Sequence, residues 1–178
     1  MLNKLLVGID ESASSEWAFE TALELAKALD AELVLVHVLD ILSSDSPRTP
    51  IRLVDNYLDA LDERTQADYE LEMTEFAGRY DALLKQRQAA AEAANVTAHY
   101  LQPCGRPGPT LCQTASDNQV NLIVVGNHDR STLKELVPGS VSNYVMHHAP
   151  CSVTIVHSDD VSRDTANGNH SAYSLDVA

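Results

Sequence analysis

Five short, β-rich apolar runs, each separated from the next by a helix-length interval, restrict this chain more than any other feature. They are Lys4–Asp10 (KLLVGID), Glu32–Val38 (ELVLVHV), Val96–Leu101 (VTAHYL), Asn121–Gly126 (NLIVVG) and Ser152–His157 (SVTIVH). Runs that are apolar at nearly every position are strands covered on both faces, and the intervals are crossovers rather than hairpin turns. The pattern predicts an α/β domain: an open, doubly wound, five-stranded parallel sheet with helices on both faces. A ligand site in such a sheet lies beyond the carboxyl ends of the strands, where the strand order reverses. Three polar strand ends fit that place: Asp10 after the first run, Val38–Asp40 after the second and Gly126–Asn127 after the fourth.

The intervals carry helical signals. Ser12 is a candidate N-cap, and Ala18, Ala22, Leu25, Ala26 and Leu29 recur on one face. Pro47 and Pro50 mark a loop. Val54 to Glu75 then holds eight acids and one base, Arg64, and reads as a solvated helix face. From Tyr69 the residues Met73, Phe76, Tyr80, Leu83 and Leu84 form one stripe of a long helix that packs on the sheet and ends near Asn95. PCGRPGP, Pro103 to Pro109, is a breaker-rich loop, with Pro109 in the first turn of a short helix through Ala115. Ser140–His148 is a further helix, stopped by Ala149-Pro150. The domain spans 1–157, and the polar stretch 158–178 is expected to be a disordered tail.

The net charge of −14 over 178 residues repels nucleic acid and anionic membranes, so neither is an expected partner. It also repels free nucleotides at long range, so a phosphate site has to be built locally from backbone N–H groups, a helix N-terminus, a few bases or a metal. No apolar run approaches the roughly 20 residues that cross a bilayer. The amino end turns acidic too early for a signal peptide, so a cytoplasmic location is expected. Cys104, Cys112 and Cys151 form no CxxC and read as ordinary thiols. His128, His147, His148 and His157 lack the helix-face spacing of a metal site, and no resident metal is expected from them.

The stretch from Gly126 to Ser140 bears the most chemistry. Gly126 closes a buried strand, Gly139-Ser140 opens a helix, and Arg130 and Lys134 lie between. Ser140 can cap that helix, and the free N–H groups of Val141 and Ser142 would point at a bound anion with the helix dipole behind them. By glycine spacing alone this could equally be a strand exit followed by an ordinary helix cap.

The same residues resemble the universal stress protein (UspA-like) family of the ATP-binding type. Its phosphate motif, G-x-x-G, nine residues, then G-[S/T], corresponds here to Gly126-Asn127-His128-Asp129, Arg130–Pro138 and Gly139-Ser140. Asp10-x-Ser12-x-x-Ser15-x-x-Ala18 matches the family's opening, LVHVLD at 35–40 its second strand, and Gly105-Arg106-Pro107 its G-x-P loop. The similarity covers about 3–157, apart from a variable stretch at 41–95. It implies a Rossmann-like, adenine-nucleotide alpha-hydrolase-like fold that holds ATP or AMP, with or without Mg²⁺, across the strand ends. Ile9, Asp10 and Val38 would line the adenine pocket, although Asp10 could serve simply as a helix cap. Gly126 and Asn127 would approach the ribose or α-phosphate, and Gly139, Ser140, Val141 and Ser142 would hold the phosphates, with Arg130 nearby.

One residue departs from the motif: Asp129 replaces its second glycine. A carboxylate ~4 Å from a phosphate would cost a few kcal/mol at an effective dielectric near 20. Three outcomes stay open. Asp129 points to solvent, or it shares a Mg²⁺ with the phosphates, or the site prefers AMP or adenosine or stays empty.

A nucleotide-binding regulator of the stress response is therefore the expected function, with slow or absent turnover. No residue is well placed as a general base, although His128 and Asp129 are candidates by proximity. The alternative is a nucleotide-free dimeric interaction protein of the same family. An adenylyl-transferring or nicotinamide enzyme is disfavoured, because DESASSE is not a pyrophosphatase loop and no GxGxxG follows the first strand. The resemblance also implies a homodimer paired through the last strand, Ser152–His157, whose exposed apolar edge calls for a cover.

Overall fold

A computed structural model of the chain describes residues 2–43, 46–48, 59–127 and 141–157. Its elements in chain order are β1 (Lys4–Gly8), α1 (Ala13–Leu29), β2 (Glu32–Val36), α2 (Asp59–Ala93), β3 (Ala98–Leu101), α3 (Pro107–Asp117), β4 (Leu122–Gly126), α4 (Val141–His148) and β5 (Ser152–Val156). The strands form one five-stranded sheet in the order β3-β2-β1-β4-β5, and every neighbouring pair is parallel. The order reverses between β1 and β4, which fixes the switch point there.

Side-chain alternation along the central strands builds two cores. Leu5, Val7, Leu33, Leu35, Leu122 and Val124 face α1 and α2, where Ala18, Phe19, Ala22, Leu84 and Ala91 cover them. Leu6, Val34, Val36, Ile123 and Val125 face the opposite way, against Leu111 and Ala115 of α3 and Val145 of α4. Both faces of β1, β2 and β4 are thus dry, which explains why their sequences are apolar throughout rather than alternating. β5 has one neighbour, and its residues are half-buried or exposed.

Several boundaries differ from the sequence expectation for local reasons. β1 stops at Gly8 rather than Asp10, because the Asp10 N–H donates to Ser15 Oγ at 2.8 Å, outside the ladder. β3 starts at Ala98 rather than Val96. The Val96 N–H still closes α2 by donating to the Ala91 carbonyl, across a left-handed Asn95 at φ 62°. α3 begins with Pro107 at its first position, which keeps Pro109 in the first turn as expected, and it runs on to Asp117 rather than ending at Ala115.

α2 follows its predicted stripe. Phe76, Tyr80 and Leu84 are buried, with Met73 and Leu83 partly so, while Asp68, Glu70, Glu72 and Glu75 face solvent. Phe76 and Tyr80 pack with Leu39 into a third, smaller cluster just beyond the end of β2. Among the described residues, no helix is long and apolar enough to cross a membrane.

Candidate functional site

Strand register levels two candidate positions, Ile9 and Gly126, beside the switch point. Gly8 pairs with Val36 and Val7 with Val124, so Ile9 comes level with His37 on one side and with Gly126 on the other. Ile9 is buried, and its N–H donates to the Val36 carbonyl at 2.8 Å. Val38 is buried one residue past His37. The base of the expected adenine pocket is therefore backbone and aliphatic side chain, a surface suited to the edge and face of a flat heterocycle.

Asp10 is exposed, and its carboxylate already has partners. Oδ1 accepts from the Ser12 N–H at 2.8 Å and from the Ser12 hydroxyl. Ser12 caps α1 in turn by accepting from the Ser15 N–H at 3.2 Å. Asp10 thus holds the turn that leads into α1 through the cap residue Ser12, rather than capping the helix itself.

Gly126 serves packing within the protein. A Cβ built on it would lie 2.5 Å from the carbonyl carbon of Ser14, nearer still to that carbonyl's oxygen, and 2.9 Å from Ser14 Cβ. The absent side chain lets the first turn of α1 sit against the end of β4. The glycine expected from sequence to admit a ligand thus also admits a helix backbone. Asn127 continues the β4–β5 ladder, its N–H donating to the Val156 carbonyl at 2.7 Å, and its Nδ2 meets His157 Nδ1 at 3.1 Å. Gly105 of the G-x-P loop has φ 151° and donates its N–H to the Leu39 carbonyl at 3.1 Å, tying that loop to the chain leaving β2.

Val141 and Ser142 open α4, the first half-exposed and the second buried. Asp129, Arg130, Gly139 and Ser140, with His128 and Lys134, lie outside the described residues. A cavity of about 390 Å³ lies beside α2, between Ser46–Pro47 and Glu72, Glu75, Phe76 and Arg79. Another of about 490 Å³ lies at the opposite end of the sheet, around Asn3, Asp30 and Asn95. Neither is bounded by the expected site residues.

Sequence reasoning missed the residues that surround Ile9 and Val38 from behind. His37 is buried, and its Nδ1 donates to the Ile9 carbonyl at 2.7 Å. Tyr80 of α2 stacks on the His37 ring with centroids 3.6 Å apart and planes 11° from parallel. Arg79 reaches Glu11 at 3.2 Å and covers the Tyr80 ring. Burial holds the His37 ring below the ordinary histidine range, against the pull of the Ile9 carbonyl and of Asp10 and Glu11. The ring is therefore neutral near pH 7, with its hydrogen on Nδ1. No motif signals these contacts, since Tyr80 reads as one more member of an apolar stripe.

Comparison with known proteins agrees with this architecture. The model of the universal stress protein family matches residues 1–157. Universal stress protein YxiE of Bacillus subtilis is 32% identical over 158 residues, covering 88% of this chain and 99% of its own length. The structure of universal stress protein UspA from Lactobacillus plantarum superposes with a TM-score of 0.65 at 28% identity, over 87% of this chain and 97% of that one. A universal stress protein crystallised in complex with cAMP shares the fold, with a TM-score of 0.62 at 23% identity, over 88% of this chain and 97% of that one. With the strand order, the switch point and the family match in agreement, the chain belongs to the universal stress protein family.

Proposed function

We propose that this chain is an adenine-nucleotide-binding regulator of the stress response, taking ATP or AMP at the strand ends and acting through a nucleotide-dependent conformation or partner surface. The observation that carries the reading is the switch point itself. Ile9, Val38 and Gly126 stand at the carboxyl ends of β1, β2 and β4, on the two sides of the reversal in strand order. Ile9 and Val38 supply an apolar bed with backbone groups at its rim, and Asp10 offers its remaining carboxylate oxygen to an amino group or ribose hydroxyl. The phosphates fall to Asn127, Arg130, Gly139, Ser140, Val141 and Ser142, with Asp129 turned to solvent or sharing a Mg²⁺. A family structure holding cAMP supports an adenine nucleotide as the ligand class.

Mass spectrometry of small molecules released from the purified protein tests this directly. An adenine nucleotide in the eluate, or calorimetric binding of ATP or AMP with Mg²⁺, is the expected result. Absence of both would remove the proposal.

A second reading, a nucleotide-free dimer that acts through its surface, is favoured by one feature of the fold. β5 is a half-buried edge strand carrying Val153, Ile155 and Val156. Pairing of two copies through Ser152–His157 would cover it. The two readings separate on one variant. Asp129→Gly restores or sharply tightens ATP binding if Asp129 has disabled the site, and changes affinity little if the site already works.

A further inference from the structure

The region behind the strand ends connects the candidate site to α2 by contacts that neither the fold nor the ligand reading requires. The turn after β1 contributes Ile9 and Glu11, the exit of β2 contributes His37 and Leu39, and α2 contributes Phe76, Arg79 and Tyr80. The His37 ring stands between the first and last of these. One edge donates Nδ1–H to the Ile9 carbonyl at 2.7 Å, and one face lies on the Tyr80 ring at 3.6 Å. A parallel connection runs outside it, where Arg79 Nε meets Glu11 at 3.2 Å while Nη2 donates to the Tyr80 hydroxyl at 2.9 Å. Phe76 packs edge-on against Tyr80, with centroids 5.4 Å apart, and both rest on Leu39.

We propose that His37 is a positioning residue and that its stack with Tyr80 couples the occupant of the strand-end site to the acidic helix α2. His37 lies between Val36, which accepts from the Ile9 N–H, and Val38, so the ring is fixed to both walls of the adenine bed. A ligand that draws the Ile9 or Val38 backbone toward itself turns the His37 ring, and the ring cannot turn without displacing Tyr80. Beside these contacts α2 borders the open 390 Å³ cavity lined by Ser46, Pro47, Glu72, Glu75, Phe76 and Arg79, which leaves the helix room to adjust. The exposed acids Asp68, Glu70, Glu72 and Glu75 lie along this helix, so a shift there moves an acidic surface. Charged groups facing the ring are Asp10 and Glu11 from the turn and Arg79 from α2, and burial keeps the ring neutral among them.

This inference rests on the nucleotide reading, and one experiment separates their failures. Hydrogen exchange is followed on the full chain with and without saturating AMP or ATP and Mg²⁺. In the natural protein, amides of residues 76–88 should change exchange rate by about fivefold or more on binding, the low end of ordinary coupling. Tyr80→Phe keeps the stack and should keep that response. Tyr80→Leu should abolish it while core amides of β1 and β4 remain as protected as before. His37→Phe keeps the ring but not the bond to Ile9, and should lose the response as well. If nucleotide binds the natural protein and α2 does not respond, or if Tyr80→Leu responds like Tyr80→Phe, the coupling is wrong and the nucleotide reading stands. If the natural protein binds no nucleotide, both fall.

Discussion

Gly126→Ala tests the account of why the family's first motif glycine is glycine here. The added Cβ would lie 2.5 Å from the Ser14 carbonyl carbon and 2.9 Å from Ser14 Cβ. The nearest obstacles are backbone, in the first turn of a helix, so no rotamer change relieves them. Overpacking of this kind costs about 1–3 kcal/mol, and rigid neighbours place this case at the upper end. Loss of chain entropy in the unfolded state returns about 0.4–1 kcal/mol, leaving a net loss near ~2 kcal/mol. For a domain of this size that lowers Tm by roughly 4–8 °C. Gly8→Ala is the internal control. Its Cβ would meet Val125 Cγ1 at 3.5 Å and Leu111 Cδ1 at 3.6 Å, ordinary contacts, so stability should stay within about 1 kcal/mol of the natural protein. Thermal unfolding by circular dichroism compares the two. Because the clash falls on Ser14, exchange should also quicken at the Asp10 N–H, which bonds to Ser15 Oγ. If Gly126→Ala melts within about 2 °C of Gly8→Ala, the close approach of α1 to β4 is not the reason for the glycine.

Three further expectations follow from the packing and the charges. The folded pKa of His37 lies below its unfolded value, so the unfolded chain takes up the proton first. This contribution to stability is complete above pH ~6.5 and declines as pH falls from there through the folded value, by at most about 1.4 kcal/mol per pH unit. Urea unfolding at a series of pH values should show that slope, and His37→Phe should flatten it. Leu84, fully buried between α2 and the sheet, should cost about 2–5 kcal/mol as Leu84→Ala, seen as a lower urea midpoint with an unchanged m-value. Arg87 forms a two-pronged pair with Glu16 and lies 5.2 Å above the Phe19 ring, yet Glu16 is half-exposed. Arg87→Met should therefore lose only about 0.5–1 kcal/mol, and the difference should shrink in about 0.5 M salt.

The sheet was legible because three of its strands are dry on both faces, and no other environment calls for LLVG, LVLV and LIVVG in one short chain. Ser12 was legible as a cap because the residues after it repeat at helical spacing. The roles of Asp10 and Gly126 were harder to read. Each sits at a strand end where a ligand and a helix N-terminus compete for the same space, and sequence names the residue but not the competitor. In both cases α1 takes a share, through Ser12 for Asp10 and through Ser14 for Gly126. The His37–Tyr80 stack was illegible for a different reason. It joins residues 43 positions apart, and each alone resembles an ordinary core residue. Helical period reports that Tyr80 faces inward, but not which ring it meets.

Charge gives the last link between fold and site. A net charge of −14 argues against phosphate binding if it is spread evenly, but among the described residues Asp10 and Glu11, beside the switch point, are compensated. Asp10 stands at the amino end of α1, where the helix dipole and two donors from Ser12 offset it, and Glu11 is paired with Arg79. Acids without such partners include Asp68 and Glu72 on the exposed face of α2. At physiological ionic strength charges more than about 8 Å away are largely screened, so a phosphate at the strand ends senses the compensated pair far more than the total. The global charge then acts on encounter rather than on the bound state. Raising the salt should speed nucleotide association and leave dissociation nearly unchanged, whereas a site dominated by uncompensated acids would show dissociation slowing as salt rises.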